Sequence, residues 1–325
     1  MKELDKQILS SVQKVFPVYK RPFKLLGNNF GLTESEMIEK FKYFTNEIKI
    51  IRSITPVFNP SKLGYKSVLV ALHLNEEQIT HIPEKINNFS SVSHNYQRDD
   101  YYNIWFTYTS NQNDNYEFLI NTFCKENNIN EHLFLPSIQV FNREVIFNLA
   151  NEKLDKLPDI LNSNNESIYE LDDLDKKIII ELQNNLPLIS QPYKSVAEKI
   201  GIKEPDLIYK IKKYLEYKVI NRYCVSVNHL KTPFKYNALV TWNTERALIK
   251  NISKLFISFD FVSHCYERIL LPQWPYNLYT MVHSTSEDNL TSNINQMIKA
   301  SNITSYKVLK TIHELKKKRV KYLLT

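Results

Sequence analysis

The sequence predicts an α+β chain written twice, each copy a small helical module followed by an antiparallel sheet backed by helices. Three observations predict it: an internal repeat in one register, helical apolar spacing at the start of each copy, and β-α-β-β-α-β alternation after it. Leu4-Asp5-Lys6 recurs as Leu174-Asp175-Lys176, an offset of 170. The same offset pairs Pro17 with Pro187, Pro22 with Pro192, Gly31 with Gly201, Glu34 with Glu204 and Arg52 with Arg222. It also pairs His94 with His264, Tyr96 with Tyr266 and Arg98 with Arg268. After Arg268 the second copy carries four extra residues, so Tyr102-Asn103 aligns with Tyr276-Asn277. The 325 residues, about twice a typical domain, are thus one two-domain unit repeated.

In copy one, Leu4, Ile8, Leu9, Val12 and Val15 recur at helical spacing, with Asp5 near the positive end of the helix dipole. Pro22 opens a second short helix that ends before Gly31. Thr33 and Glu36 then form a capping box for a third helix whose apolar stripe is Met37, Ile38, Phe41 and Phe44. A strand follows at Ile50–Ile54. Three helices and a strand make a winged helix-turn-helix, expected over 1–58 and again over 173–228. Copy one continues with a strand at Ser67–Leu74, a helix at Glu76–Phe89, and paired strands at Val92–Gln97 and Asn103–Thr109. A helix at Asn115–Asn127 and a strand at Leu135–Phe147 complete it. Copy two repeats the order at Asn237–Trp242, Glu245–Phe256, Phe261–Glu267, Leu278–His283, Ser286–Ala300 and a strand through Val320. This order implies ferredoxin-like domains over 59–151 and 229–325, joined by a polar linker at 152–172.

Composition removes several function classes. Only four glycines occur, at Gly27, Gly31, Gly64 and Gly201, and none sits in a dinucleotide fingerprint or a P-loop. No apolar run approaches a membrane span, and the first residues lack a signal-peptide core. Cys124, Cys224 and Cys265 form no zinc or iron–sulfur spacing, and an odd count without a leader suits a reducing cytoplasm.

The net charge of +7 is uneven: residues 1–160 carry −1 and residues 161–325 carry +8. Lys316, Lys317, Lys318, Arg319 and Lys321 concentrate it near the end, so an anionic partner is expected. A winged helix followed by a ferredoxin-like domain resembles the Lrp/AsnC family of transcription regulators. Yet the third helices open with Glu34, Glu36 and Glu39 in copy one and Glu204 and Asp206 in copy two. Carboxylates there repel phosphate, and neither first turn offers the Arg or Asn that reads a base. Sequence-specific DNA binding is therefore not expected.

Matched histidine motifs point elsewhere. Copy one reads Ser93-His94-Asn95-Tyr96-Gln97-Arg98, and copy two Ser263-His264-Cys265-Tyr266-Glu267-Arg268. Alternation along a strand puts His264, Tyr266 and Arg268 on one face and Ser263 and Cys265 on the other. On the facing strand His283 shares a face with Met281 and Tyr279, while copy one has Thr109 in its place. A His-Tyr-Arg stripe can move a proton near neutral pH and hold a carboxylate. No acid or thiolate is spaced to join the histidines as a metal site.

These residues resemble the siroheme decarboxylases, Lrp/AsnC-like enzymes of two related subunits that also occur fused. Copy one carries Ser93-His94-Asn95-Tyr96 and Tyr102-Asn103-Ile104-Trp105-Phe106-Thr107, with Asn59-Pro60-Ser61-Lys62-Leu63-Gly64-Tyr65 entering the sheet. Copy two carries Ser263-His264-Cys265-Tyr266, Trp274-Pro275-Tyr276-Asn277-Leu278, Met281-Val282-His283 and His229. Pro233 stands before Phe234 where the family usually has glycine. The resemblance implies removal of two acetate carboxyl groups from siroheme, giving didecarboxysiroheme. His264, His283 and His94 are then the candidate proton donors. Arg268, Tyr266, Arg98, Arg222, Trp274, Tyr276, Asn277, His229, Lys317 and Arg319 are the candidate groups for holding the ring and its carboxylates. Ligation of the substrate iron by one histidine is a competing role. No cofactor is required, because the iron belongs to the substrate. The implied ligands are siroheme and its product, with haem as a further candidate, in an intramolecular pseudo-heterodimer that could pair as a homodimer. The alternative is a tetrapyrrole-responsive regulator without turnover.

Overall fold

The computed structural model describes residues 1–143, 169–228 and 231–324. It divides into two units, and each draws on both copies of the repeat. Met1–Leu63, Ile146–Thr232 and Lys321–Thr325 form one unit; Gly64–Val145 and Pro233–Val320 form the other.

In the first unit, copy one gives α1 (Glu3–Lys14), α2 (Pro22–Asn29), α3 (Glu34–Lys42) and β1 (Ile51–Phe58). The Thr33 cap forms as its sequence implies. Its hydroxyl accepts from the Glu36 N–H at 3.3 Å, and the Glu36 carboxylate accepts from the Thr33 N–H at 2.8 Å. Phe16, Phe23 and Phe41 are fully buried and pack edge to face, with centroids 5.2–6.1 Å apart. The strand after these helices finds its partner in the other copy rather than in a hairpin of its own. β1 pairs antiparallel with β6 (Ile220–Val227), Ile54 opposite Val225, and closes a two-stranded sheet.

Copy two supplies α6 (Asp173–Leu182), α7 (Pro192–Ile200) and α8 (Glu204–Glu216) to the same unit. Gly31 and Gly201, repeat partners, both take positive φ (67° and 81°) at the turn before the third helix, where a side chain would be strained. Most of the expected linker lies outside the described residues, but its last residues are packed. Asp172 caps α6 by accepting from the Asp175 N–H at 2.6 Å, and the Tyr169 ring stands 5.7 Å from that of Tyr214.

The third helices are bound into this unit by their charged residues. Glu34 pairs with Arg21, and Lys40 reaches the buried Asp5 at 2.6 Å. The repeat partner Lys210 reaches Asp175 at 2.7 Å, and the Tyr214 hydroxyl donates to the same carboxylate. These partners hold Lys210 well above the ordinary lysine value, against the opposing effect of burial. Lys212 lies over the Tyr19 ring at 4.8 Å, and Lys213 pairs with Glu216 at 2.9 Å. Basic residues that could have touched a DNA backbone thus have partners within the chain.

The second unit is a closed eight-stranded barrel. Copy one contributes β2 (Tyr65–Leu72), β3 (Val92–Arg98), β4 (Ile104–Asn111) and β5 (His132–Arg143). Copy two contributes β7 (Tyr236–Trp242), β8 (Val262–Arg268), β9 (Leu278–Ser284) and β10 (Tyr306–Lys317). Each set has the ferredoxin-like order, β3-β4-β2-β5 and β8-β9-β7-β10, and closure comes from exchange between copies. β5 pairs with β8, and β10 pairs with β3, so neither sheet leaves an open edge.

The helices α4 (Ile82–Asn88), α5 (Tyr116–Glu126), α9 (Ile249–Ile257) and α10 (Glu287–Ser301) cover the outside. α4 is shorter than its apolar spacing implies. Asn75 and Gln78 cap each other's backbone N–H, a 3₁₀ turn at Gln78–Thr80 follows, and Pro83 lies in the first helical turn. β5 begins three residues earlier than the sequence suggests, and β10 ends at Lys317 rather than Val320. Among the described residues, no helix is long and apolar enough to cross a membrane.

Candidate active site

Alternation along the barrel strands sorts the motif residues by face. Cys265 is fully buried in the outer, helix-covered core, and burial pushes its thiol up to about 12, so it stays protonated at neutral pH. The inner face carries Tyr266, Tyr279, Trp105, Leu133, Leu135 and Leu309, which pack with Trp274 and Tyr102 into a third core. Trp274 is 2% exposed and its indole N–H donates to the Tyr279 hydroxyl at 2.9 Å. Its ring stands 5.6 Å from Tyr102 and 5.4 Å from Trp105, both of copy one. Trp274 thus plugs the interior, while Leu270, Pro272, Gln273 and Pro275 around it are exposed. Tyr276, half-buried, packs edge-on against Trp274 at 5.1 Å.

Further along the same strands lie the histidines. His94 stacks on Tyr96 and His264 on Tyr266, with centroids 6.3 and 5.9 Å apart. The register puts Lys317 of β10 opposite His94 and Arg143 of β5 opposite His264. Lys317 pairs with Glu314 at 3.5 Å. Arg319, just past β10, is exposed.

Ser263 departs from simple alternation. A β-bulge between Val262 and His264 breaks the register with β9. The Ser263 hydroxyl then lies 2.8 Å from His264 Nδ1 and 2.8 Å from His283 Nε2. His283 is 8% exposed. A hydroxyl thus bridges two imidazoles, an arrangement that strict alternation along a strand hides. The repeated Ser-His dipeptide was its one signal in the sequence. Copy one keeps the first link, Ser93 Oγ to His94 Nδ1 at 2.8 Å, but Thr109 bonds to Ser67 at 2.8 Å instead.

Several expected binding residues have structural partners. Arg98 is buried; its Nη1 donates to the Leu309 carbonyl and the Thr311 hydroxyl, both at 3.0 Å, across the β3–β10 seam. Burial lowers it to about 10, which still leaves it charged at neutral pH. Arg268 does the same at the β8–β5 seam, donating to the Leu135 carbonyl and lying over the Tyr266 ring at 5.1 Å. Asn277 accepts from the Thr244 N–H at 3.1 Å and donates to the Thr244 carbonyl at 2.7 Å, as Asn103 does with Leu74 at 3.0 and 2.7 Å. Both polar ends of each amide fasten a strand end, so Asn277→Ala should lose about 1–3 kcal/mol of stability. Thermal melting reads that loss, and the KM for substrate should stay unchanged. Arg222 lies on β6, in the helical unit rather than the barrel. His229 lies outside the described residues.

The barrel, with one ligand-binding-type domain from each copy, defines the class. The AsnC-like ligand binding domain family matches residues 62–142 and 231–316, more than half of the sequence, and the chain belongs to it. Its helical modules, residues 5–52 and 175–220, match the siroheme decarboxylase NirDL-like HTH domain. A siroheme decarboxylase from Hydrogenobacter thermophilus is 26% identical over 98% of this chain and 95% of its own length. A siroheme decarboxylase beta subunit from Methanosarcina barkeri is 30% identical, with 46% of this chain matching 99% of that one. The crystal structure of the siroheme decarboxylase NirDL superposes with a TM-score of 0.76 at 24% identity, over 99% of this chain and 94% of that one.

Proposed function

We propose that this chain is a siroheme decarboxylase, a carboxy-lyase that removes two acetate carboxyl groups from siroheme and releases didecarboxysiroheme. The observation that carries the proposal is the pair of histidines brought together on the inner barrel wall, His264 and His283, in a chain whose full-length relative has that activity. A NirDL crystal structure holding an iron-uroporphyrin III analogue shows that this fold takes a ring of the same kind in that protein.

Siroheme is a flat, polyanionic macrocycle. Tyr96 and Tyr266, the half-buried aromatics beside the histidines, can contact the ring, and Lys317 can hold a carboxylate. Decarboxylation breaks the bond between the acetate methylene and its carboxyl carbon. Carbon dioxide leaves, and the bonding electron pair stays on the methylene, where the conjugated ring delocalises it. A proton must then be added to give a methyl group, and an imidazole is suited to deliver it near neutral pH. His264 is the donor in copy two and His94 its counterpart in copy one. Arg98 and Arg268 act on this reading by holding the seams that shape the wall. The reaction needs no resident metal or cofactor, because iron arrives with the substrate. No observation favours a DNA-binding regulator, since the basic residues of α8 described above have partners within the chain.

Anaerobic incubation of the protein with siroheme, followed by mass analysis, tests the proposal. The expected product has lost two carboxyl groups. Unchanged siroheme, bound but not converted, would sink it.

A further inference from the structure

The two copies present the same Ser-His pair, but among the described residues only copy two extends it to a second imidazole. We infer that Ser263 is a positioning and relay residue that couples His283 to His264, and that it makes the two half-sites unequal as proton sources. The inference rests on the decarboxylase reading for its catalytic meaning, and on the two 2.8 Å contacts for its geometry.

A serine hydroxyl has one proton to donate and lone pairs to accept with. Placed 2.8 Å from both His264 Nδ1 and His283 Nε2, with the Met281 carbonyl a longer 3.5 Å away, it can donate to one ring and accept from the other. If the hydroxyl donates to His264 Nδ1, His264 carries its own proton on Nε2 and His283 donates Nε2–H to Ser263. Loss of carbon dioxide leaves an electron pair on the methylene carbon, and a C–H bond forms there with the His264 Nε2 proton. The Ser263 proton moves to His264 Nδ1, and the His283 Nε2 proton moves to Ser263. Where His283 enters the step as imidazolium it ends neutral, one proton has crossed the chain, and His264 never becomes an anion. Solvent then reprotonates His283.

Among the described residues, copy one lacks this store. Ser93 reaches His94, but the position of His283 is held by Thr109, whose hydroxyl cannot keep an extra proton near neutral pH. A hydroxyl one carbon from the backbone reaches both rings only because the strand bulges at Val262–His264. The burial of Ser263 and His283, 7% and 8% exposed, limits competition from water for the bridge.

Two measurements test the inference. In steady-state turnover of siroheme, Ser263→Ala should lower kcat about 10- to 100-fold with KM within about twofold, and Ser263→Thr should restore part of it. Ser93→Ala should lose less than Ser263→Ala. The wild-type rate should curve with deuterium fraction in a proton inventory, and Ser263→Ala should make it linear. Equal losses at Ser93 and Ser263, or an unchanged kcat in Ser263→Ala, would overturn the inference. The second measurement does not need activity. Nitrogen-15 spectra of histidine-labelled, substrate-free protein at one neutral pH should show His264 mainly as the Nε2–H tautomer. Both Ser263→Ala and His283→Gln should shift it towards a mixture. His264 signals that ignore His283→Gln would overturn the coupling even if the protein does not convert siroheme. That change leaves the bulge residues in place.

Discussion

His264→Ala should lower siroheme turnover by about 100- to 1,000-fold while leaving substrate binding close to wild type. A positioned general acid contributes on the order of 10²–10⁴ to a rate, and His264 lies on the inner face, stacked on Tyr266 and hydrogen-bonded to Ser263. His283→Ala should cost less, about 10- to 100-fold, because it acts through Ser263 and solvent can partly replace it. His94→Ala should slow the reaction as well, through the copy where Thr109 stands in place of His283. Single-turnover rates with siroheme under anaerobic conditions, and the visible spectrum of the bound substrate, separate this role from iron ligation. A proton donor leaves the spectrum of bound siroheme unchanged, whereas an axial ligand alters it when removed. Normal turnover in both His264→Ala and His283→Ala would remove these residues from the mechanism.

Much of the fold is legible in the sequence because the repeat and the periodicities are local. The Thr33 capping box, the prolines that open the second helices and the glycine turns before the third ones follow from residues within a few positions of each other. Strand exchange is not local. Nothing within β5 says that its far edge pairs with β8, and nothing within β1 says that its partner is β6. The site divides the same way. Alternation places His264, Tyr266 and Arg268 along β8, but one bulge moves Ser263 to a position between two histidines. Charge and aromatic type do not distinguish a ligand contact from a seam. Arg98 and Arg268 could have faced a carboxylate, yet each donates to the terminal strand of the other copy, at the repeat-equivalent carbonyls of Leu309 and Leu135. Because the barrel closes only by exchanging terminal strands, its two seams need internal donors, and the repeat supplies the same arginine to both.

Trp274→Ala should destabilise the protein by about 3–5 kcal/mol, the range for emptying a buried aromatic site. Trp274 is 2% exposed, contacts Tyr102 and Trp105 of the other copy, and donates to Tyr279. Burial raises the Tyr279 phenol well above its usual value, and the indole contact together with Arg268 opposes that rise. Removing the indole therefore leaves a cavity and also deprives a buried hydroxyl of its donor, and the range of about 3–5 kcal/mol covers both. Trp274→Phe keeps most of the ring volume and loses the N–H, so its cost should be about 1–2 kcal/mol. Melting temperature and denaturant midpoint read both values. Siroheme affinity, measured below the melting transition, separates a plug from a substrate wall. A plug loses stability in both variants while its affinity changes little. A large loss of affinity in Trp274→Phe at near-normal stability would instead place the ring against the substrate.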